Sequence, residues 1–569
     1  MSNGRYPSMI FTLLSKSERR SGLVIIAYLI MCTVLEVVSI AALIPLIQVL
    51  TDSNLRSKYP VIARLFPNSN DQFIVTLILI GIVFVFLLKG LFSGFSLWVQ
   101  RGYVARLESR FQNQLFDKYT QRGHEFHITN NSAFLSRNIL NSNNFVNNVL
   151  DPMFILLADG FVTVALCILL ITVEPVAMLI TISLVGTAAF VFHGFSKRRI
   201  EHWGVERQLK DGLKLQHMNE TFGGIKEVLI YGRGHFFRTR FESNVAQLSD
   251  VNRKFTTLLG IPRLYLEFLS VVGLAVLVIS MLALGRTAES LLPLLALFAG
   301  GAFRLTPAIN RITFAFQSLR MGRPIVDVLI EDLLSFDVCE LVNNNGSNVR
   351  FDYSIRFENV TYAYPDTERD VLDGVSFEIS KGTQVGIIGP TGSGKSTLVD
   401  ILLGLLRPTR GRVMVDGVDI STNIRGWQDL IGYVPQSIFL MDSSIKANIA
   451  FGIAENEIDD TKVLRSLKLA QLTEFVDELP NGMNEFVGER GVRLSGGQRQ
   501  RIGIARALYL DPPILVFDEA TSALDVETEK DVMKSLEYLR TDRTILIVTH
   551  RLSALEHCDQ TITIENGAA

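Results

Sequence analysis

At 569 residues the chain is too long for a single domain, and its 48% hydrophobic content is high for a protein living wholly in water. A formal net charge of −2 excludes bulk attraction to nucleic acid. Four scattered cysteines (Cys32, Cys167, Cys339 and Cys558), none in a CxxC pair, exclude a disulfide framework or a zinc site.

The apolar excess lies ahead of about residue 320. A basic lead-in (Arg5, Lys16, Arg19, Arg20) precedes an apolar run too long for a cleavable signal and without a small-residue cleavage site. Six runs are predicted to be membrane-spanning helices, at about 23–50, 73–98, 154–173, 176–195, 264–284 and 291–312. Glu36 is an acidic interruption of the first. The long connections at 89–153 and 193–263 carry Arg101, Arg106, Arg110, Lys118, Arg122, Lys197, Arg198 and Arg199. Their charge places them, both termini and the C-terminal half in the cytoplasm. They read as helices continuing beyond the bilayer, with polar turns near 130–136 and 221–226. Residues 55–66 form either a short amphipathic helix on the outer membrane face or a solvated loop. The expected domains are a membrane unit at 1–342, a linker at 343–349 and an α/β unit at 350–569.

Within that last unit a short apolar run, 384–388, is followed by Gly389, Pro390, Thr391, Gly392, Ser393, Gly394, Lys395, Ser396 and Thr397, and then by helical spacing. Strand, glycine-rich turn and helix in that order make a phosphate cradle. Lys395 is placed to reach the β- and γ-phosphates of ATP, and Ser396 to ligate Mg²⁺. Tyr364 precedes the loop, where its ring can stack on adenine. Gln436 follows a short strand, within reach of Mg²⁺ and the attacking water. Ser495, Gly496, Gly497 and Gln498 open a second helix and offer another anion-binding start. Residues 514–519 end an apolar strand in two carboxylates, Asp518 for the Mg²⁺ shell and Glu519 as general base. Ser522, Ala523, Leu524 and Asp525 follow, and His550 ends a further strand, in position for the γ-phosphate.

Taken together, these motifs resemble the ATPase cassette of an ABC transporter over 350–569, and Gly488, Glu489, Arg490 and Gly491 match the segment that exporter-type members place before the signature. The resemblance implies the roles of A-loop, Walker A, Q-loop, signature, Walker B with its catalytic glutamate, D-loop and switch histidine. The expected fold is an all-α transmembrane domain of six helices followed by an α/β P-loop ATPase domain. One cassette on six spans is half of the usual transporter. The resemblance therefore implies a homodimer in the bacterial inner membrane, surrounded by membrane lipids. Each ATP would lie between the phosphate loop of one copy and the signature of the other. The turns near 130–136 and 221–226 would lodge in the cassettes and pass their closure to the spans.

Charges in the last two spans bear on the cargo. Arg263 and Glu267 lie at the inner end of the fifth span. Arg304 lies ~20 Å along the sixth at ~1.5 Å per residue, and Arg311 is seven residues on, on nearly the same face. Each either snorkels to the inner interface or lines a cationic cavity that accepts an anionic head group. Residues 262–267 and 303–312 resemble the fifth and sixth spans of PglK-type lipid-linked oligosaccharide flippases. That resemblance implies a polyprenyl-pyrophosphate-linked glycan as cargo, held by arginine forks. Other readings are an exporter of peptide, lipid or drug, and an ATP-gated channel or membrane-anchored ATPase.

Overall fold

The computed structural model describes residues 12–42, 71–173, 175–283, 288–334, 349–365, 367, 369–520, 543–551, 555–556, 558–565 and 567–568. Compact packing divides the chain into two units. One comprises Met1–Thr120 with Asn130–Asp337, the other Gln121–Thr129 with Val338–Ala569.

Among the described residues the first unit has six long helices: α1 (Lys16–Ala41), α2 (Asp71–Thr120), α3 (Asp151–Val173), α4 (Pro175–Gly223), α5 (Gly234–Ala283) and α6 (Ala288–Met321). α2 and α5 are each 50 residues long, about 75 Å at ~1.5 Å per residue and more than twice a ~30 Å hydrocarbon core. The predicted extension of the spans into the flanking basic loops is therefore continuous helix. Among the described residues four helical stretches are long and apolar enough to cross a membrane: Lys16–Ser39, Val75–Thr120, Ser132–Thr172 and Gly234–Val276. They contain most of the first, second, third and fifth predicted spans. The fourth and sixth lie on α4 and α6.

α1 packs on α2, α3 on α6, and α4 on α5. Leu107, Phe111 and Leu115 line the inward face of α2, and Leu166 and Leu170 that of α3. Val83, Phe84, Leu91 and Trp98 point outward from α2, and Phe190 from α4. So much exposed apolar surface is what a lipid-facing wall requires. Ahead of α3 the asparagine-rich stretch Val146–Leu150 is wound as a single turn of π-helix.

Among the described residues the second unit holds two sheets. An antiparallel one orders β1 (Ser354–Tyr362), β2 (Leu372–Ser380), β4 (Arg410–Val415) and β5 (Val418–Asp419) as β2-β1-β4-β5. The other is parallel, ordered β6-β7-β8-β3-β9, from β3 (Gln384–Ile388), β6 (Ile431–Val434), β7 (Ile514–Asp518), β8 (Thr544–Val548) and β9 (Gln560–Thr563). β7 and β8 are almost continuously buried, because helices cover both faces of a parallel sheet. Val385, Ile387, Val516 and Leu546 pack against Leu398, Val399 and Trp427 on one side. Phe517 and Ile547 meet Ile445, Ile502 and Ile504 on the other. The C-terminal ends of β3, β6, β7 and β8 line up on one edge, where parallel sheets bind ligands.

Candidate active site

The phosphate loop leaves β3 and enters α7 (Lys395–Leu402). Glycine is required at two points. A Cβ on Gly389 would sit 2.2 Å from the carbonyl oxygen of Ile564. One on Gly394, at φ 104°, would sit 2.8 Å from Leu372 and 3.0 Å from the Val371 carbonyl. Lys395 Nζ donates to the carbonyls of Gly389 and Pro390, 2.9 Å each, so its charge lies against the loop. Ser393 is buried, and its Oγ has no hydrogen-bond partner. A buried hydroxyl without a partner, a lysine and a helix start converging on one turn fit a polyphosphate. Thr397 Oγ1 is 3.1 Å from the Tyr364 hydroxyl, and the Tyr364 ring meets Tyr362 edge-on. These contacts hold the Tyr364 ring beside the loop. Ser396 lies exposed in the first turn of α7.

Three strand ends bring together residues far apart in sequence. Glu519, just past β7, adopts left-handed backbone at φ 49°, which is rare for a residue with a side chain. Its amide bonds the Val548 carbonyl of β8 at 2.9 Å. Gln436 Nε2 donates to Glu519 Oε2 at 2.6 Å, and His550 Nε2 lies 3.0 Å from Oε1. The candidate base is thus gripped on both oxygens by two of the other three predicted catalytic side chains. Asp518 is more enclosed. Burial, then the charges of Glu519 and Asp400, raise its carboxyl above the ordinary value, while the Tyr433 hydroxyl and the Lys395 charge act the other way. A half-buried carboxylate beside two others suits a site that gains a divalent cation. Asp518, Ser396 and Gln436 are the residues that the sequence predicts as Mg²⁺ ligands. Among the described residues there is no cluster of three histidine, cysteine or acidic side chains fit to bind a metal alone. A Mg²⁺ site of few protein ligands is completed by phosphate oxygens.

The signature opens α8 (Gly496–Leu508) with a reciprocal cap. Gln498 N donates to Ser495 Oγ at 3.2 Å, and Ser495 N to Gln498 Oε1 at 2.8 Å. Ser495 and Gly496 are exposed, with Gly497 and Gln498 partly so. Just before it, Gly488, Arg490 and Gly491 all take positive φ. The predicted 522–525 segment, the predicted outer-face segment 55–66 and Cys339 lie outside the described residues. Cys32, Cys167 and Cys558 are free thiols.

The segment that packs with the ATPase is Gln121–Thr129, just ahead of the turn predicted near 130–136. The turn near 221–226 lies where α4 ends and the short helix Ile225–Ile230 begins. There Phe222, Leu229, Ile230 and Tyr231 are all exposed.

Each arginine singled out in the last two spans has an acidic partner. Arg263 pairs with Glu267 one turn on, at 2.8 Å, and both are well exposed. Arg311 donates through Nε and Nη2 to the two oxygens of Asp159 on α3, at 2.8 and 2.6 Å. Arg304 Nε lies 2.5 Å from Glu36 Oε1 on α1, and Lys89 Nζ of α2 lies 2.8 Å from Glu36 Oε2. Sequence reading passed over Lys89 and Asp159. The available signal was the same for both, a charge embedded in an apolar run.

Residues 23–299 match the model of the ABC transporter transmembrane region, and residues 372–522 that of the ABC transporter. An ATP-dependent lipid A-core flippase of Cupriavidus pinatubonensis is 30% identical over 477 residues, 82% of this chain and 80% of that protein. One from Ralstonia nicotianae is 31% identical over 458 residues, 80% and 77% of the two chains. The fold matches that of a solved structure of a bacterial Atm1-family ABC exporter with ATP bound, at a TM-score of 0.80. That match covers 97% of this chain and 95% of the other at 23% identity. The chain therefore belongs to the ABC transporter family: a multi-pass inner-membrane protein whose cytoplasmic ATPase hydrolyses ATP with Mg²⁺ to drive transport.

Proposed function

We propose that two copies of this chain form a transporter of six spans each. Its cargo is a lipid with a phosphate-type head group, more specifically a polyprenyl-pyrophosphate-linked oligosaccharide. The observation that carries the cargo reading is a charge count: Lys89 and Arg304 face one buried carboxylate, Glu36, where three largely apolar helices meet. One positive charge is left over where charge is costly, and an anionic head group is the complement that repays it. Arg311 and Arg263, each paired one to one, contribute no net charge. Lipid-flipping relatives support a lipid as cargo. They also favour a second reading, a phosphorylated lipid A-type glycolipid.

In this reading ATP lies between residues 389–397 with Tyr364 of one copy and Ser495, Gly496, Gly497 and Gln498 of the partner subunit. Exposure of the signature start in the single chain supports that arrangement. Lys395 and the loop amides bind phosphate, Glu519 takes a proton from water, and Gln436 and His550 hold Glu519 in place. Bound Mg²⁺ neutralises phosphate charge. Contacts that ATP makes with both copies only when they close bias closure. The segment 121–129 and the apolar tip near 222–231 carry that closure to the spans, exposing the cavity to alternate sides.

The test is flipping of a polyprenyl-pyrophosphate glycan in proteoliposomes, with a lipid A-type glycolipid in parallel. Arg304→Gln is expected to lower the lipid-stimulated to basal hydrolysis ratio about tenfold, the worth of a charged hydrogen bond. An unchanged ratio would remove Arg304 from the cargo site.

A further inference from the structure

Glu36 sits on α1 at 5% exposure, in the middle of a wall built to face lipid. An unpaired carboxylate there would be expelled or neutralised. It is retained because each oxygen has its own cation, Arg304 on Oε1 and Lys89 on Oε2, contributed by two other helices. The manner of the Arg304 contact matters more than its existence. The guanidinium approaches side-on, its Nε in ion-pair contact with Oε1 but outside hydrogen-bond geometry. Its two terminal nitrogens have no partner among the described residues, and its side chain remains 35% exposed. Arg311 differs. It spends Nε and Nη2 together on Asp159, a closed two-point clasp between α3 and α6. One arginine of α6 is locked, and the other is aimed.

We infer that Glu36 is a positioning residue: it holds Arg304 by Nε and so presents the Nη1/Nη2 fork to a lipid-borne phosphate or pyrophosphate group. A free arginine has many rotamers, and ordering it on binding costs affinity. Anchoring Nε removes most of that cost before the ligand arrives, while the terminal pair keeps the planar two-point geometry that phosphate oxygens accept. Lys89 balances Glu36, so the charge presented by Arg304 stays uncompensated. Glu36 acts through Arg304 and does not touch the cargo. This inference rests on the proposed anionic-lipid reading and adds how that site is preorganised.

The test is a double-mutant cycle on the full-length protein in lipid vesicles, reading the ratio of stimulated to basal ATP hydrolysis within each variant. The probe is a short polyprenyl pyrophosphate in the bilayer, with inorganic pyrophosphate as the second arm. Glu36→Gln is expected to lower the ratio about fivefold to tenfold in the parent and to change nothing further in an Arg304→Gln background. Equal stimulation of parent and Glu36→Gln overturns the inference, as does an equal loss in both backgrounds, the mark of a merely structural residue. Stronger stimulation of Glu36→Gln also overturns it, because Glu36 would then compete with the ligand. If the Gln variant does not fold, Glu36→Asp takes its place. Drawing Nε back by one methylene should lower the ratio in the parent and leave it unchanged beside Arg304→Gln. A parent that responds to neither probe sinks the cargo reading itself, a different outcome from an unresponsive cycle. A response to inorganic pyrophosphate alone overturns the lipid-borne source.

Discussion

The nucleotide edge of the ATPase and the charged interior of the membrane unit hold functional side chains by opposite means. In the ATPase, backbone does the positioning. Lys395 opens a helix, while Gln436, Glu519 and His550 follow the ends of three adjacent parallel strands, and Glu519 is turned by a left-handed φ. In the membrane unit the backbone is plain helix, and side chains position one another across it: Glu36 with Arg304 and Lys89, Asp159 with Arg311. A sheet edge can serve any chemistry that its strand ends dictate. Removing one partner of a buried ion pair leaves the other charge uncompensated, so its residues depend on one another and tolerate change less independently.

The sharpest way to break that comparison is at Glu519. If the strand-end geometry only sets up binding and Glu519 is the base, Glu519→Gln keeps the Gln436 contact side and loses the proton acceptor. Turnover is expected to fall about 10²- to 10⁴-fold, while ATP still binds and traps paired copies. Steady-state hydrolysis and size-exclusion chromatography with Mg–ATP measure the two effects. Undiminished turnover would move the base elsewhere. Next in size is Lys395→Ala, which removes a charged donor from the loop. Nucleotide affinity is expected to drop about ten- to hundredfold, read by equilibrium binding of a fluorescent ATP analogue. Unchanged affinity would contradict the cradle.

The contrast also explains what was legible beforehand. The phosphate loop, the signature and the carboxylate pair are each contiguous, so their chemistry is written in consecutive residues. Their placement follows from local rules of strand, turn and helix. The grip of Gln436 and His550 on Glu519 was not legible, because it depends on strand order β6-β7-β8, which adjacent sequence does not encode. The arginines of the last spans stood out as charges in apolar runs. Their pairing did not, since Glu36, itself visible as an acidic interruption, and Asp159 lie on α1 and α3, and helix packing alone selects them. That Gln121–Thr129 clusters with the second unit was not legible for a related reason: polarity marks a turn, whereas packing decides which unit a segment joins. Long helices running through membrane and cytoplasm were legible as apolar runs continued by basic helical patterns. The π-turn at Val146–Leu150 has no comparable signature.

A smaller effect probes the electrostatics of the edge. Burial and the nearby charges of Glu519 and Asp400 raise the Asp518 carboxyl above its ordinary value. A raised carboxyl favours the folded state only while protonated. That contribution is complete below the ordinary carboxylate value and is lost as pH rises through the raised one. At neutral pH the ionised Asp518 therefore costs folding free energy, and a bound divalent cation offsets the cost. Asp518→Asn is thus expected to melt a few degrees above the parent when both are free of Mg²⁺ and nucleotide. The gap should close as pH falls into the ordinary carboxylate range, about pH 4. Saturating Mg–ATP should reverse the order, because only the parent keeps a charged oxygen for the metal and gains stability by binding. Melting curves of both proteins across pH, with and without Mg–ATP, decide it. If the Asn variant melts lower without metal, Asp518 is held by contacts worth more than its buried charge, and the strand edge is preformed for reasons other than the metal.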